Sequence, residues 1–126
     1  MWIEYNPNPN DRRTEDCMVR VVAKVTNQSW DDAFAMLVSV AFIQKTMPGS
    51  KEVLGIVLKK LGFTRHAIPN TCPICYTEKD FCDEHPEGTY VLCTDNHVAV
   101  VQSGNIYDAY DSSMKIPMFY WAKEKS

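Results

Sequence analysis

Three short stretches of the chain carry residue types that could make and break acyl bonds. Asp16-Cys17-Met18-Val19-Arg20 holds a cysteine, Asn96-His97-Val98-Ala99 a histidine, and Ile106-Tyr107-Asp108-Ala109-Tyr110-Asp111 two acids. A thiol attacks a carbonyl as the thiolate, so it needs a base, and the base needs a group that orients it. Cys17 is the candidate nucleophile, His97 the base and general acid, and an acid of the third stretch the group that fixes the imidazole. The oxyanion of the intermediate would meet the Cys17 backbone N–H and one donor from the upstream arm, Asn10 before Arg12 or Arg13.

A second cluster competes for attention. Cys72-Pro73-Ile74-Cys75, followed by Cys82 and His85, spells C-x2-C-x6-C-x2-H. Three thiolates and an imidazole suit tetrahedral zinc, so a structural zinc on Cys72, Cys75, Cys82 and His85 is one expectation. A redox disulfide between Cys72 and Cys75 is another. A third is a loop with incidental thiols, in which Cys82 is core and His85 meets the free carbonyls of a helix end.

Helices must position the nucleophile. Met18, Val21, Val22 and Val25 recur at helical spacing, which predicts a helix from about Cys17 to Thr26 with Asp16 or Thr14 as its cap. Cys17 then sits at the positive end of that helix, where a thiolate is favoured. Ser29 caps a second helix ending near Thr46, with Trp30, Phe34, Leu37, Val38, Ala41 and Phe42 on one buried face. Ser50 caps a third, with Val53, Leu54, Val57, Leu58 and Leu61 inward and Gly62 closing it. Phe63 to Tyr76 reads as irregular, and Thr77 caps a short helix through Cys82.

Strands must position the base and the acid. After Gly88 the apolar period changes to two, predicting strands over 89–94, 97–102, 106–110 and 115–122. If Ser103-Gly104-Asn105 is a three-residue turn centred on Gly104, His97 lies opposite Asp111, the first choice for the acid. A two-residue turn would shift the register and bring in Asp108. Helices followed by an antiparallel sheet of about four strands make an α+β fold.

Composition bounds the rest. The chain has 126 residues, 45% of them hydrophobic and 23% charged, which suits one globular domain. It divides into an extended arm over 1–13, a helical half over 14–62, a loop with a short helix over 63–88 and a sheet over 89–123. A net charge of −3 and the lack of a basic tract argue against nucleic acid as a partner. No apolar run is long enough for a membrane span, and the first residues lack the apolar core of a signal peptide. Five cysteines without an export signal predict reduced thiols and a cytoplasmic setting.

The order of these pieces resembles the papain-like cysteine peptidase superfamily. The carrying residues are Asp16 to Arg20, the segment Phe81-Cys82-Asp83-Glu84-His85-Pro86-Glu87-Gly88-Thr89-Tyr90-Val91-Leu92, the strand Asn96 to Val101, and Ile106 to Ser113. Within it, the chain is similar to compact bacteriocin-processing peptidases that cut after double-glycine leaders, and to small peptidase-like proteins of bacteria and their phages. The resemblance spans roughly residues 12–122. It implies a cysteine hydrolase acting on a peptide or amide through a thioester, with no cofactor required and a peptide or protein as partner. Two positions depart from the pattern. No glutamine precedes Cys17, and Met18 stands where the leader-processing enzymes carry a small residue. The alternatives are a zinc-knuckle binding module and a catalytically silent papain-like domain that binds a peptide.

Overall fold

The computed structural model describes residues 1–123. Its elements run in the order β1 (Trp2–Glu4), α1 (Cys17–Thr26), α2 (Trp30–Gln44), α3 (Lys51–Lys60), β2 (Phe63–Ala67), α4 (Glu78–Glu84), β3 (Thr89–Cys93), β4 (Val98–Gln102), β5 (Asn105–Asp108) and β6 (Phe119–Lys123). The fold is α+β, as the switch of period predicts. The sheet is larger than expected and mixed: six strands in the order β1-β5-β4-β3-β6-β2, with β1 parallel to β5 and every other pair antiparallel.

The two additional strands lie at the sheet's edges, where the period-two signal is weakest. β1 has three residues inside the arm expected to be extended but outside the sheet. β2 buries only Phe63; Thr64, Arg65, His66 and Ala67 are exposed. Backbone pairing with a neighbouring strand, not an apolar face, fixes both.

Alternation along the inner strands feeds two cores. Val91, Cys93, Val98, Val100 and Trp121 face α1, α2 and α3, whereas Leu92, Ala99, Val101 and Ile106 face Phe81 and Cys82 of α4. Val21, Val22, Val53 and Leu58 are fully or almost fully buried in the first core, each contributing about 1.5–3 kcal/mol by area removed from water. The stripe of α3 is as expected, with Leu61 half-buried behind it. The stripe of α2 is rotated. It buries Ala33, Leu37, Val40 and Ala41, and leaves Phe34, Val38 and Phe42 exposed. That helix is apolar around most of its circumference, so periodicity alone selects no unique face. Its small residues allow close approach to the other helices.

Ser29, Ser50 and Thr77 cap α2, α3 and α4 as expected, Thr77 in a capping box with Asp80. Asp16 does not cap α1: no side chain does. Its carboxylate is committed elsewhere, and this shapes the site.

Candidate active site

α1 lies across β4, so its first residue meets the head of that strand. The Cys17 thiol interacts there with the His97 side chain and the Val98 backbone N–H. The His97 Nε2 is 2.5 Å from Asp108 Oδ2. That leaves Nδ1 as the ring nitrogen facing the thiol. The His97 imidazole therefore interacts with both the Cys17 thiol and the Asp108 carboxylate.

The carboxylate that contacts His97 is that of Asp108, not Asp111. The hairpin turn is two residues, Ser103 and Gly104, with φ of 53° and 74°, and Gln102 pairs with Asn105. Positive φ at both positions suits the tight turn that matches strand twist. The centred three-residue turn expected from sequence is one residue too long, so every partner on β5 moves by one. Val100 pairs with Tyr107, and Asp108 reaches His97 on a diagonal. Asp111 is exposed, and its Oδ1 accepts the Ser113 N–H at 3.0 Å.

Asp108 is almost completely buried and heavily hydrogen-bonded. Besides His97, it accepts from Arg20 Nη2 at 3.1 Å, Ser112 Oγ at 2.9 Å and the Ala109 N–H at 2.8 Å. Arg20, one turn along α1 from Asp16, is buried too and donates its other nitrogen, Nη1, to Asp16 Oδ1. Trp30 Nε1 donates to Asp16 Oδ2 at 2.9 Å. Arg20 thus spends its planar fork on two carboxylates from different parts of the chain, which a lysine could not match. Sequence inspection quoted Arg20 only as part of a motif. Its one signal was a charge set between Val19 and Val21 near the start of the helix.

Charge at the site follows from these contacts. Burial would raise the Cys17 pKa, but the hydrogen bonds from His97 and Val98, with the positive charges of His97 and Arg20, bring it below the ordinary thiol value. Burial would lower that of His97, yet the hydrogen bonds and charges of Asp108 and Cys17 raise it to about 9. Burial would also raise Asp108, and the His97 bond and charge outweigh it and hold the carboxyl below its usual range. Both shifts act toward a thiolate–imidazolium pair and away from the neutral one. The other free thiols lack this support: burial pushes Cys82 up to about 11 and Cys93 up to about 12.

The pair opens into a cleft of about 780 Å³. Met18, Trp30, Phe34 and Leu37 form an apolar wall; Asn96, Tyr110 and Lys115 stand among the polar lining. The Tyr110 ring lies 5.0 Å from that of His97, and Trp30 stacks on Phe34 at 5.0 Å. No family model, no curated protein and no solved structure matches this chain.

The remaining expected site residues are not brought to the cleft. Asn10 is exposed on the arm, its backbone N–H bonded to the Asn8 side chain at 2.9 Å, and it does not line the cleft. Arg13 instead reaches Ala109 O at 2.7 Å and Glu4 at 2.8 Å. The proposed zinc set does not converge either. Cys72 and Cys75 are joined in a disulfide, the pairing that one of the three expectations for this cluster names, whereas reduced thiols are the general expectation for the five cysteines. Cys82 packs in the second core, and His85 stacks on Phe81 at 3.8 Å with Nδ1 2.9 Å from the Phe81 carbonyl. Among the described residues no group of three or more His, Cys, Asp or Glu is placed to hold a metal. No helix among them is long and apolar enough to cross a membrane.

Proposed function

We propose that the chain is a cysteine hydrolase of papain-like type, acting on a peptide or amide through a thioester on Cys17. One observation carries this reading: the His97 ring stands between the Cys17 thiol and a buried Asp108, with the thiol held below and the imidazole above their ordinary pKa values. Attack by the Cys17 thiolate on a carbonyl in the cleft forms a tetrahedral oxyanion. The first-turn N–H groups of α1, which no side chain caps, are the donors for that charge. The Nδ1–H of His97 then protonates the leaving amine as the C–N bond breaks, leaving an acyl group on Cys17. Neutral His97 takes a proton from water, hydroxide adds to the thioester, and the acid departs with Cys17 restored as thiolate and His97 as imidazolium. Asp108 holds the ring in line through both steps and offsets its charge.

The test is incubation of the protein with a complex peptide mixture, followed by mass spectrometry of new termini and of the acid-quenched protein. The expected result is new termini and an acyl adduct on Cys17, both lost in Cys17→Ala and His97→Ala. Cleavage that survives Cys17→Ala, or neither new termini nor an adduct, would contradict the proposal.

A further inference from the structure

Glu78, in the first turn of α4, is completely buried, and its Oε2 is the one buried side-chain oxygen or nitrogen among the described residues without a hydrogen-bond partner. The other oxygen, Oε1, lies 3.3 Å from Ser112 Oγ, and Ser112 Oγ lies 2.9 Å from the Asp108 carboxylate. Those two oxygen–oxygen contacts need two protons. Ser112 supplies one. Asp108 is ionised and supplies none, so the second belongs to Glu78.

We propose that Glu78 is a positioning residue of the site: as a carboxylic acid it donates to Ser112, which donates in turn to Asp108, so the acid that orients His97 is held by a chain of hydrogen bonds ending on a buried carboxyl. All bonds of the chain point the same way, from Glu78 through Ser112 to Asp108 Oδ2, the oxygen that also accepts from His97. Ionised Glu78 would accept the Ser112 proton instead of giving one, and would take it from Asp108. It would also place a second anion near the first with an oxygen unpaired, which is costly in a buried site.

The charged and titratable groups acting on Glu78 are His97 at the head of β4, Asp108 of β5, Tyr110 beyond it, Lys115 of the following loop and Cys82 of α4 itself. Burial dominates, and it raises Glu78 to about 8 against the attraction of His97 and Lys115. Glu78 and His97 therefore titrate as an interacting pair. Once Glu78 ionises, its charge keeps His97 protonated to higher pH.

This inference rests on the triad reading, and three measurements on the same samples keep the two apart. The first is the infrared carbonyl stretch of a protonated carboxylic acid at pH about 7, where exposed carboxyls are ionised. The second is nitrogen NMR titration of His97, assigned by comparison with His97→Ala. The third is the rate of Cys17 alkylation. Wild type is expected to show the band, absent in Glu78→Gln, and a two-step His97 curve. Glu78→Gln, neutral and of the same shape, is expected to show a single His97 step displaced to lower pH. A merely structural role would leave the His97 curve where it was. Lack of the band in wild type, or an unchanged His97 curve in Glu78→Gln while Cys17 alkylation still depends on His97, would overturn the inference alone. Loss of that dependence would overturn the triad reading and this inference with it.

Discussion

Asp108 is the residue on which the site turns. It accepts from His97, Arg20, Ser112 and the Ala109 N–H, a set that keeps a buried carboxylate ionised beside an imidazolium. Asp108→Asn removes the charge and leaves the two cations without it. The expected outcome is a His97 pKa well below the wild-type value of about 9, read by NMR, and a fall in turnover of roughly 10²–10⁴-fold. Asp111→Asn should leave both unchanged, because that side chain is exposed and occupied with Ser113. Equal effects of the two substitutions would contradict the assignment. Cys17 and His97 were legible because their types, order and settings are each uncommon in combination. The choice between the two acids was not, since it depends on a single residue of turn length, and one residue of register exchanges the faces of a strand.

At the scale of elements, α1 is fixed to the sheet by more than its apolar side. Arg20 on α1 joins Asp16, just before that helix, to Asp108 on β5, and Asp16 in turn holds Trp30 at the start of α2. The apolar wall of the cleft and the acid of the triad therefore share one buried cation. Replacing Arg20 by Met strands both carboxylates, and the expected cost is about 3–5 kcal/mol in denaturant unfolding. A loss near zero would show that neither carboxylate depends on it. The helices were legible nearly to the residue, because caps at Ser29, Ser50 and Thr77 and a glycine at Gly62 mark their ends in the sequence. Asp16 misled, being a good capping residue whose side chain is used for an ion pair. The edge strands β1 and β2 were not legible, because backbone pairing leaves little trace in side-chain pattern.

Across the whole molecule, a six-stranded sheet separates two cores, and the site sits where α1 meets the head of β4. One arrangement serves both stability and chemistry. The buried charges that lock α1 onto the sheet also set the protonation of Cys17 and His97. The signs follow directly. The lowered thiol pKa means Cys17 loses its proton at lower pH than an ordinary thiol, and the raised imidazole means His97 keeps its proton until about pH 9. Both shifts widen the pH range in which the charged pair is favoured over the neutral one. Cys82 and Cys93, pushed up to about 11 and about 12, stay protonated across it. The most direct measurement is alkylation of the native protein with limiting iodoacetamide from about pH 5 to about pH 10, mapped to individual cysteines. The structure predicts that Cys17 is labelled ahead of Cys82 and Cys93 below about pH 7, and that His97→Ala moves its labelling to higher pH. A Cys17 no more reactive than Cys93, or one indifferent to His97→Ala, would contradict the account.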